Sequence, residues 1–352
     1  MAEQPSVAIL AEGSFTRQTA KTAIGAIRYA PYPIVAVVDS TQAGGDSAAL
    51  AGAGRDIPIV ATVGEAVARG ATVFLIGTAT PGGRIPDPYR PLLAEVLGRG
   101  LAVWNGLHER VLSDGALRAA AQRGGGSVRE LREPPADLPV GGHRTRRAGV
   151  RVVLTVGSDA AVGKMTVALE LAQALRRTGR RAAFVATGQT GIAIAGEGIS
   201  VDAVVADFIA GAAERLVCDA AEDADWVIVE GQGALTHPGF SGVTLGLLHG
   251  SAPDALVLCH DASRTAVKGF PDLPLRPLRE LVALYQDAAT WSRVPGARVP
   301  VVAVALNTSA LDADAAARAV RAATAETHVP AADPVRDGHA GADRLAQAVL
   351  GA

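Results

Sequence analysis

Short β-branched apolar runs alternate along this chain with longer segments whose apolar residues recur at helical spacing. In the first half, Val7–Ala11 and Ile34–Val38 bracket Thr16–Tyr29, a stretch compatible with a helix that Pro31 and Pro33 bring to an end. Further strands are predicted at Ile57–Ala61, Val73–Gly77 and Leu101–Trp104, with helices over Pro91–Gly98 and near Asp114–Arg123. The pattern then breaks. From Glu130 to Gly149 the chain turns to prolines, glycines and the basic residues Arg144, Arg146 and Arg147, which reads as an exposed linker or a source of interdomain contacts. This places a first domain over residues 1–148 and a second over residues 149–352.

The second half resumes the alternation. An apolar run over Val152–Val156 leads into Gly157–Ser158–Asp159–Ala160–Ala161–Val162–Gly163–Lys164–Met165–Thr166, and Lys164–Arg177 continues as a helix. Strands follow at Ala182–Thr187, Trp226–Val229, Asp254–His260 and Pro300–Thr308. Between them lie a glycine-rich loop, Gly188–Gly198, and helices over Val201–Ala220, Val243–His249, Leu278–Trp291, Asp312–Thr327 and Gly341–Leu350. Strands alternating with helices in both halves predict an α/β protein with a mainly parallel sheet in the second domain.

Composition narrows the class. The chain has 352 residues, enough for two separate cores, and 49% hydrophobic against 19% charged residues argues for a folded protein rather than a disordered one. A net charge of −2 supplies no general affinity for nucleic acid or for an anionic membrane. The start, Met1–Pro5, has no basic region, and the apolar run Val7–Ala11 is too short for a signal peptide or a membrane span, so a cytoplasmic protein is expected. Cys218 and Cys259 form no CxxC and lie in apolar segments, which points to free thiols. Forty glycines against 4% aromatic residues imply tight loops over an aliphatic core, and the alanine- and glycine-rich surface makes a homo-oligomer the expected assembly.

The segment Gly157–Thr166 has the order a phosphate cradle needs: strand, glycine-flanked loop, Gly-Lys, helix. Glycines let backbone N–H groups turn inward, the helix presents its positive end, and Lys164 is the mobile charge that reaches the phosphates. Gly157, Ser158, Asp159, Ala161, Val162, Gly163, Lys164, Met165 and Thr166 are therefore the candidate cofactor-binding residues. Five residues separate Gly157 from Gly163 where four are usual, and Met165 holds the usual hydroxyl position, leaving Thr166 as the nearest hydroxyl. Glu230 ends an apolar strand next to Gly231 and Gly233, as the Walker-B acid does, and could hold Mg²⁺ with Thr166 or act on a proton.

Other polar groups stand at predicted strand ends. His237, His260, Asp261 and Arg264 lie on loops there, and Asn307 could read an adenine edge or form a turn. Gln189 and Thr190 sit in the glycine-rich loop, where backbone can approach a polar substrate. In the first domain Asp39 closes the second strand, the place where an acidic residue of a dinucleotide fold binds a ribose hydroxyl. The turn after strand one, however, is Ala11–Glu12–Gly13–Ser14–Phe15 with no GxGxxG, so a domain serving architecture or part of a substrate site is the stronger reading. Arg84, past the strand Val73–Gly77, and His108, past Leu101–Trp104, are further candidates for anion contact and proton transfer.

Over nearly its whole length the chain resembles a P-loop family long known only as a domain of unknown function, of which a D-glutamate N-acetyltransferase is the characterised type. The resemblance rests on Lys21–Ala23 through Asp39–Ser40, Gly157–Thr166, Ala186–Gly198, Val201–Glu214, Val229–Gly233, His237–Pro238 through His249–Gly250, and Leu258–Asp261. It implies a Rossmann-like N-terminal domain followed by a P-loop NTPase-like domain, and transfer of an acetyl group from acetyl-CoA to the nitrogen of an amino acid. Within that implication the base is sought among Glu230, His237, His260 and Asp261, and Arg264 is the candidate grip on a substrate carboxylate. Gly157–Lys164 and Val229–Gly233 are also similar to dethiobiotin synthetase, whose resemblance implies the alternative: ATP and Mg²⁺ activating a carboxylate. A nucleotide-binding module without turnover is the third reading.

Overall fold

The computed structural model describes residues 4–16, 19–52, 57–144 and 146–352. Contacts divide the chain into two units, residues 1–133 with 189–197, and residues 134–188 with 198–352.

The first unit is a Rossmann-like layer of six parallel strands. Its strands are β1 (Val7–Leu10), β2 (Ile34–Val38), β3 (Ile59–Val60), β4 (Val73–Ile76), β5 (Ala102–Asn105) and β6 (Ser127–Glu130). They lie in the order β3-β2-β1-β4-β5-β6, so the winding reverses between β1 and β4. The strands read as unbroken apolar runs because both faces are covered: VAIL in β1 and VFLI in β4 are buried at every residue. The helices are α1 (Lys21–Tyr29), α2 (Ser47–Ala51), α3 (Val63–Ala68), α4 (Tyr89–Gly98) and α5 (Gly115–Gly124). Phe74, Leu93, Leu97 and Tyr89 centre one core of this unit.

The second unit contains another all-parallel six-stranded sheet. Its elements begin with β7 (Arg151–Gly157), α6 (Lys164–Arg177) and β8 (Ala182–Val185). The chain then leaves for α7 (Gln189–Ala195), which belongs to the first unit. It returns through α8 (Ala206–Asp223), β9 (Trp226–Val229), α9 (Ser241–Ser251) and β10 (Ala255–Asp261). A two-stranded antiparallel hairpin, β11 (Ala266–Val267) and β12 (Phe270–Pro274), precedes α10 (Leu278–Ala288), β13 (Val301–Asn307), α11 (Ala313–Thr327), β14 (Ala331–Ala332) and α12 (Gly338–Leu350). The order β14-β13-β10-β7-β9-β8 puts β7 in the middle, between β10 and β9. One core covers each face of this sheet.

Several expectations change in detail. The predicted helix over Thr16–Tyr29 begins at Lys21, and Arg17 and Gln18 lie outside the described residues. The segment Gly188–Gly198, expected as an open loop, holds α7, in which Gly191, Ile192, Ala193 and Ile194 are buried. Its packing on α1, with the Tyr32 hydroxyl donating to the Ala193 carbonyl, fixes a helix that its own glycine and isoleucines favour little. The helix expected over Val201–Ala220 is a short 3₁₀ turn, Val201–Ala203, followed by α8. The stretch from Glu130 begins as the end of β6, paired with Asn105 of β5. Arg146 is half-buried and Arg147 exposed, and both are tied to specific partners. Arg146 grips Asp254 through two bonds of 2.8 and 2.9 Å, and Arg147 bonds Asp225 and the carbonyls of Ala221 and Ala224, all within the second unit. Among the described residues no helix is long and apolar enough to cross a membrane, and both cysteines are free thiols.

Candidate functional site

The cradle leaves the carboxyl end of β7, the central strand of its sheet. Ala161 (φ +55°) and Gly163 (φ +107°) adopt left-handed backbone that bends the loop back before α6 begins. No side chain caps α6, so its first N–H groups face the loop without a partner of that kind and form the positive end an anion requires. Tight approach from β9 closes the floor: a Cβ at Gly231 would lie 1.7 Å from the Thr155 carbonyl oxygen. Instead, the Gly231 N–H donates to Thr155 Oγ1 at 3.0 Å.

Two opposite charges are buried in that floor. Lys164 donates from Nζ to the Asp159 carbonyl at 2.9 Å and is 6% exposed. Burial pushes its pKa down to about 8, against the attraction of nearby anionic groups. Glu230 is 4% exposed, and its Oε2 accepts the N–H groups of Thr187 and Gly188 at 3.0 and 3.2 Å. Burial pushes its pKa up to about 7, more than these bonds and the Lys164 charge pull it back. The Thr187 hydroxyl also donates to the Glu230 carbonyl, so one residue fixes both ends of the acid.

The remaining candidates around the cradle are held by specific partners. Asp159 is fully buried; it accepts the Ala160 N–H on Oδ1, and on Oδ2 the Lys268 N–H at 2.7 Å and Arg264 Nη1 at 2.8 Å. Burial alone would raise its pKa, yet these donors hold the carboxyl below its ordinary value. Arg264, expected to grip a substrate carboxylate, is thus engaged with Asp159 and with the Ala160 carbonyl. His237 accepts the Gly239 N–H on Nδ1, which assigns its proton to Nε2, 3.2 Å from the Lys268 carbonyl and 4.0 Å from Asp159 Oδ1. Its ring stacks on Phe240 with centroids 4.4 Å apart. His260 Nδ1 lies 2.9 Å from Ser158 Oγ, joining the ring to the loop, and burial lowers its pKa by disfavouring the charged imidazolium. Asp261 bonds the Ser263 N–H and hydroxyl, and Asn307 Oδ1 accepts the Ser309 N–H. These last two are pairs across β10 and β13 in register. Thr166 and Met165 stand half-buried in the first turn of α6.

In the first unit, Asp39 accepts the N–H groups of Gly13, Phe15 and Thr41 and the Thr41 hydroxyl, and it is fully buried. A carboxylate so occupied, three donors on Oδ1 and one on Oδ2, pins the β1–α1 turn. Gln189 accepts Arg132 Nη1 on Oε1 at 2.9 Å, and Thr190 Oγ1 meets Thr22 Oγ1 at 2.9 Å.

Comparison with known proteins fits this architecture. Residues 139–346 match the P-loop domain of the family of unknown function DUF1611, and residues 40–134 match its Rossmann-like N-terminal domain. The chain belongs to the DUF1611 family. A solved DUF1611 protein from Anabaena variabilis superposes with a TM-score of 0.89 at 40% identity, covering 99% of this chain and 100% of that one. A D-glutamate N-acetyltransferase of a Pseudoalteromonas species is 38% identical over 274 residues, 78% of this chain and 81% of that one. Another, from Tritonibacter scottomollicae, is 37% identical over 302 residues, 85% of this chain and 88% of that one.

Within this DUF1611 chain some supporting residues carry no local signal. Tyr285 of α10 is fully buried, donates its hydroxyl to the Gly157 carbonyl at 2.7 Å and accepts the Leu235 N–H at 3.1 Å. It ties the start of the cradle to the loop after β9, yet in sequence it is one more apolar position of an amphipathic helix. Thr155 and Thr187 are likewise small residues of core strands and strand ends until the fold brings Gly231 and Glu230 to them.

Proposed function

We propose that this protein is an N-acetyltransferase that moves the acetyl group of acetyl-CoA to the amino nitrogen of D-glutamate or a closely similar amino acid. The observation that carries the reading is 37–38% identity, over most of both chains, to two proteins named D-glutamate N-acetyltransferase. The second unit suits the cofactor chemically. Coenzyme A carries a pyrophosphate, and the loop Ser158–Gly163 with the uncapped start of α6 and Lys164 is a donor set of the kind that takes one. When bound, acetyl-CoA supplies an activated acyl carbonyl.

The chain's own groups then supply acid–base chemistry and charge. Glu230, poised at about 7, exists in both protonation states near neutral pH and can take up the proton that the acceptor nitrogen must lose. Lys164, at about 8, remains mainly cationic there and holds an anion at the cradle. His260, bonded to Ser158 and with its charged form disfavoured by burial, is the second group placed to accept a proton. ATP with Mg²⁺ in the cradle is the competing reading, favoured by the strand, loop, Gly-Lys and helix order and by Glu230 at the end of β9.

Mass spectrometry after incubation with D- or L-glutamate, and with either acetyl-CoA or ATP–Mg²⁺, separates the two. An N-acetyl amino acid and free coenzyme A formed without ATP are expected. ADP release coupled to an acyl-phosphate or ligated product, with no acetyl transfer, would overturn the assignment.

A further inference from the structure

The first unit contains a cleft of about 420 Å³ that the cradle chemistry does not use. It opens at the carboxyl edge of the sheet, beside the β1–β4 reversal, where open α/β sheets place their ligands. That volume is within the range of small-molecule sites. Its polar walls are hydroxyls, an amide and an imidazole: Thr22, Thr78 and Thr80, Gln189, and His108. Among the described residues that line it, none is a carboxylate.

Geometry aims these groups. Gln189 Oε1 is committed to Arg132 Nη1, which fixes the amide so that Nε2, a donor, is its other end. Gly106 lets that side chain approach, since a Cβ there would lie 3.0 Å from Gln189 Cγ. Gly83, in left-handed backbone, lets His108 lie against the chain; a Cβ would come within 2.3 Å of its ring. A second cavity of about 700 Å³ shares Gly82 and His108 and adds Arg84 and Arg90 together with the carboxylates Asp87 and Glu109. Arg90 is neutralised by Glu109 at 2.9 Å and Asp114 at 2.7 Å, whereas Arg84 is exposed at the rim.

An acid-free cleft with an amide donor, next to a cavity whose exposed Arg84 has no salt bridge among the described residues while Glu109 is spent on Arg90 and the Ile85 N–H, suits an anionic ligand with two separated carboxylates. We propose that this cleft of the Rossmann-like unit binds the acceptor as an amino dicarboxylate, Gln189 Nε2 and the hydroxyls of Thr22 and Thr78 meeting one carboxylate and Arg84 of the adjoining cavity the other. The identity of the ligand as acceptor rests on the N-acetyltransferase reading.

Gln189→Glu is the sharp test, because it keeps the bond from Arg132 and replaces the donor by a negative charge. In the full chain it should raise the KM for D-glutamate at least ~10-fold and leave the KM for acetyl-CoA within about twofold, as loss of a charge-assisted bond at one substrate predicts. Arg84→Ala, at an exposed position, should raise the same KM without changing the melting temperature. If the wild type acetylates D-glutamate and neither variant moves its KM by more than about twofold, the cleft assignment is overturned while the function stands. If no acetyl product forms at all, that reading fails and the cleft is judged by calorimetric titration with D-glutamate and glutarate. Saturable heat abolished in Gln189→Glu supports a dicarboxylate site; no heat at millimolar ligand overturns it.

Discussion

Asp39 and Glu230 follow corresponding strand ends in two parallel sheets, one in each unit, and both are buried. Asp39 receives three backbone N–H groups and a hydroxyl, so its charge is consumed in shaping the β1–α1 turn. Glu230 receives two backbone N–H groups on one oxygen and a hydrogen bond from the Gln232 side chain, lies in the same floor as a buried lysine, and has its pKa pushed up by burial to about 7. Position at a strand end thus says little about role. What separates them is the setting: the donors on Asp39 hold a turn, whereas burial of Glu230 outweighs its hydrogen bonds and leaves it able to exchange a proton near neutrality.

The largest expected break in that comparison is at Glu230's cationic neighbour. Lys164→Ala should lower kcat/KM by about a thousandfold or more and weaken CoA and ATP binding measured by calorimetry, since it removes the one buried cation of the cradle. Unchanged affinity for both would sink the phosphate reading. Next, Asp39→Ala should destabilise the first unit by about 2 kcal/mol, because the buried Phe15 N–H and the part-buried Gly13 and Thr41 N–H groups lose their acceptor. Denaturant unfolding checks it, with phosphate-ligand affinity in the second unit expected to hold.

Glu230→Gln should cost about a hundredfold in kcat with the fold intact. It also has a signature in pH. Folding raises the Glu230 pKa from 4.5 to about 7, so the folded state prefers the protonated form. The stability this group contributes is full below pH 4.5 and is lost as pH rises through about 7. Denaturation midpoints followed over that interval should fall in the wild type and fall less in Glu230→Gln. The basic limb runs the other way: Lys164, lowered from 10.5 to about 8, contributes stability above pH 10.5 that is lost as pH falls through about 8. The smallest effect is expected at Tyr285→Phe. It leaves the Gly157 carbonyl and the Leu235 N–H without their shared partner, for about 1–2 kcal/mol in thermal unfolding and a modest rise in cofactor KM.

Much of the fold was legible in the sequence because strands covered on both faces announce themselves as continuous apolar runs, and because a phosphate loop is a local pattern. Val152–Thr166 contains strand, turn and helix start within one stretch, and Trp226–Glu230 is equally self-contained. The short hairpin Ala266–Pro274 and helix α7 were not legible. The hairpin strand β12 is exposed throughout, and α7 owes its form to burial against α1, so neither has a periodic apolar signature of its own.

The candidate site divides the same way. Sequence alone determined that a Gly-Lys loop opens a helix beside a strand ending in an acid, since backbone geometry and neighbours in the chain suffice for that. Only the tertiary structure decided that Arg264 turns to Asp159, that the Gly239 N–H occupies His237 Nδ1, that Asp39 holds the β1–α1 turn and that Glu230 is poised near neutrality. Each of those outcomes depends on donors and burial contributed by residues distant in the chain, or on the fold of a loop, and a side chain's charge state follows its surroundings rather than its place in the sequence.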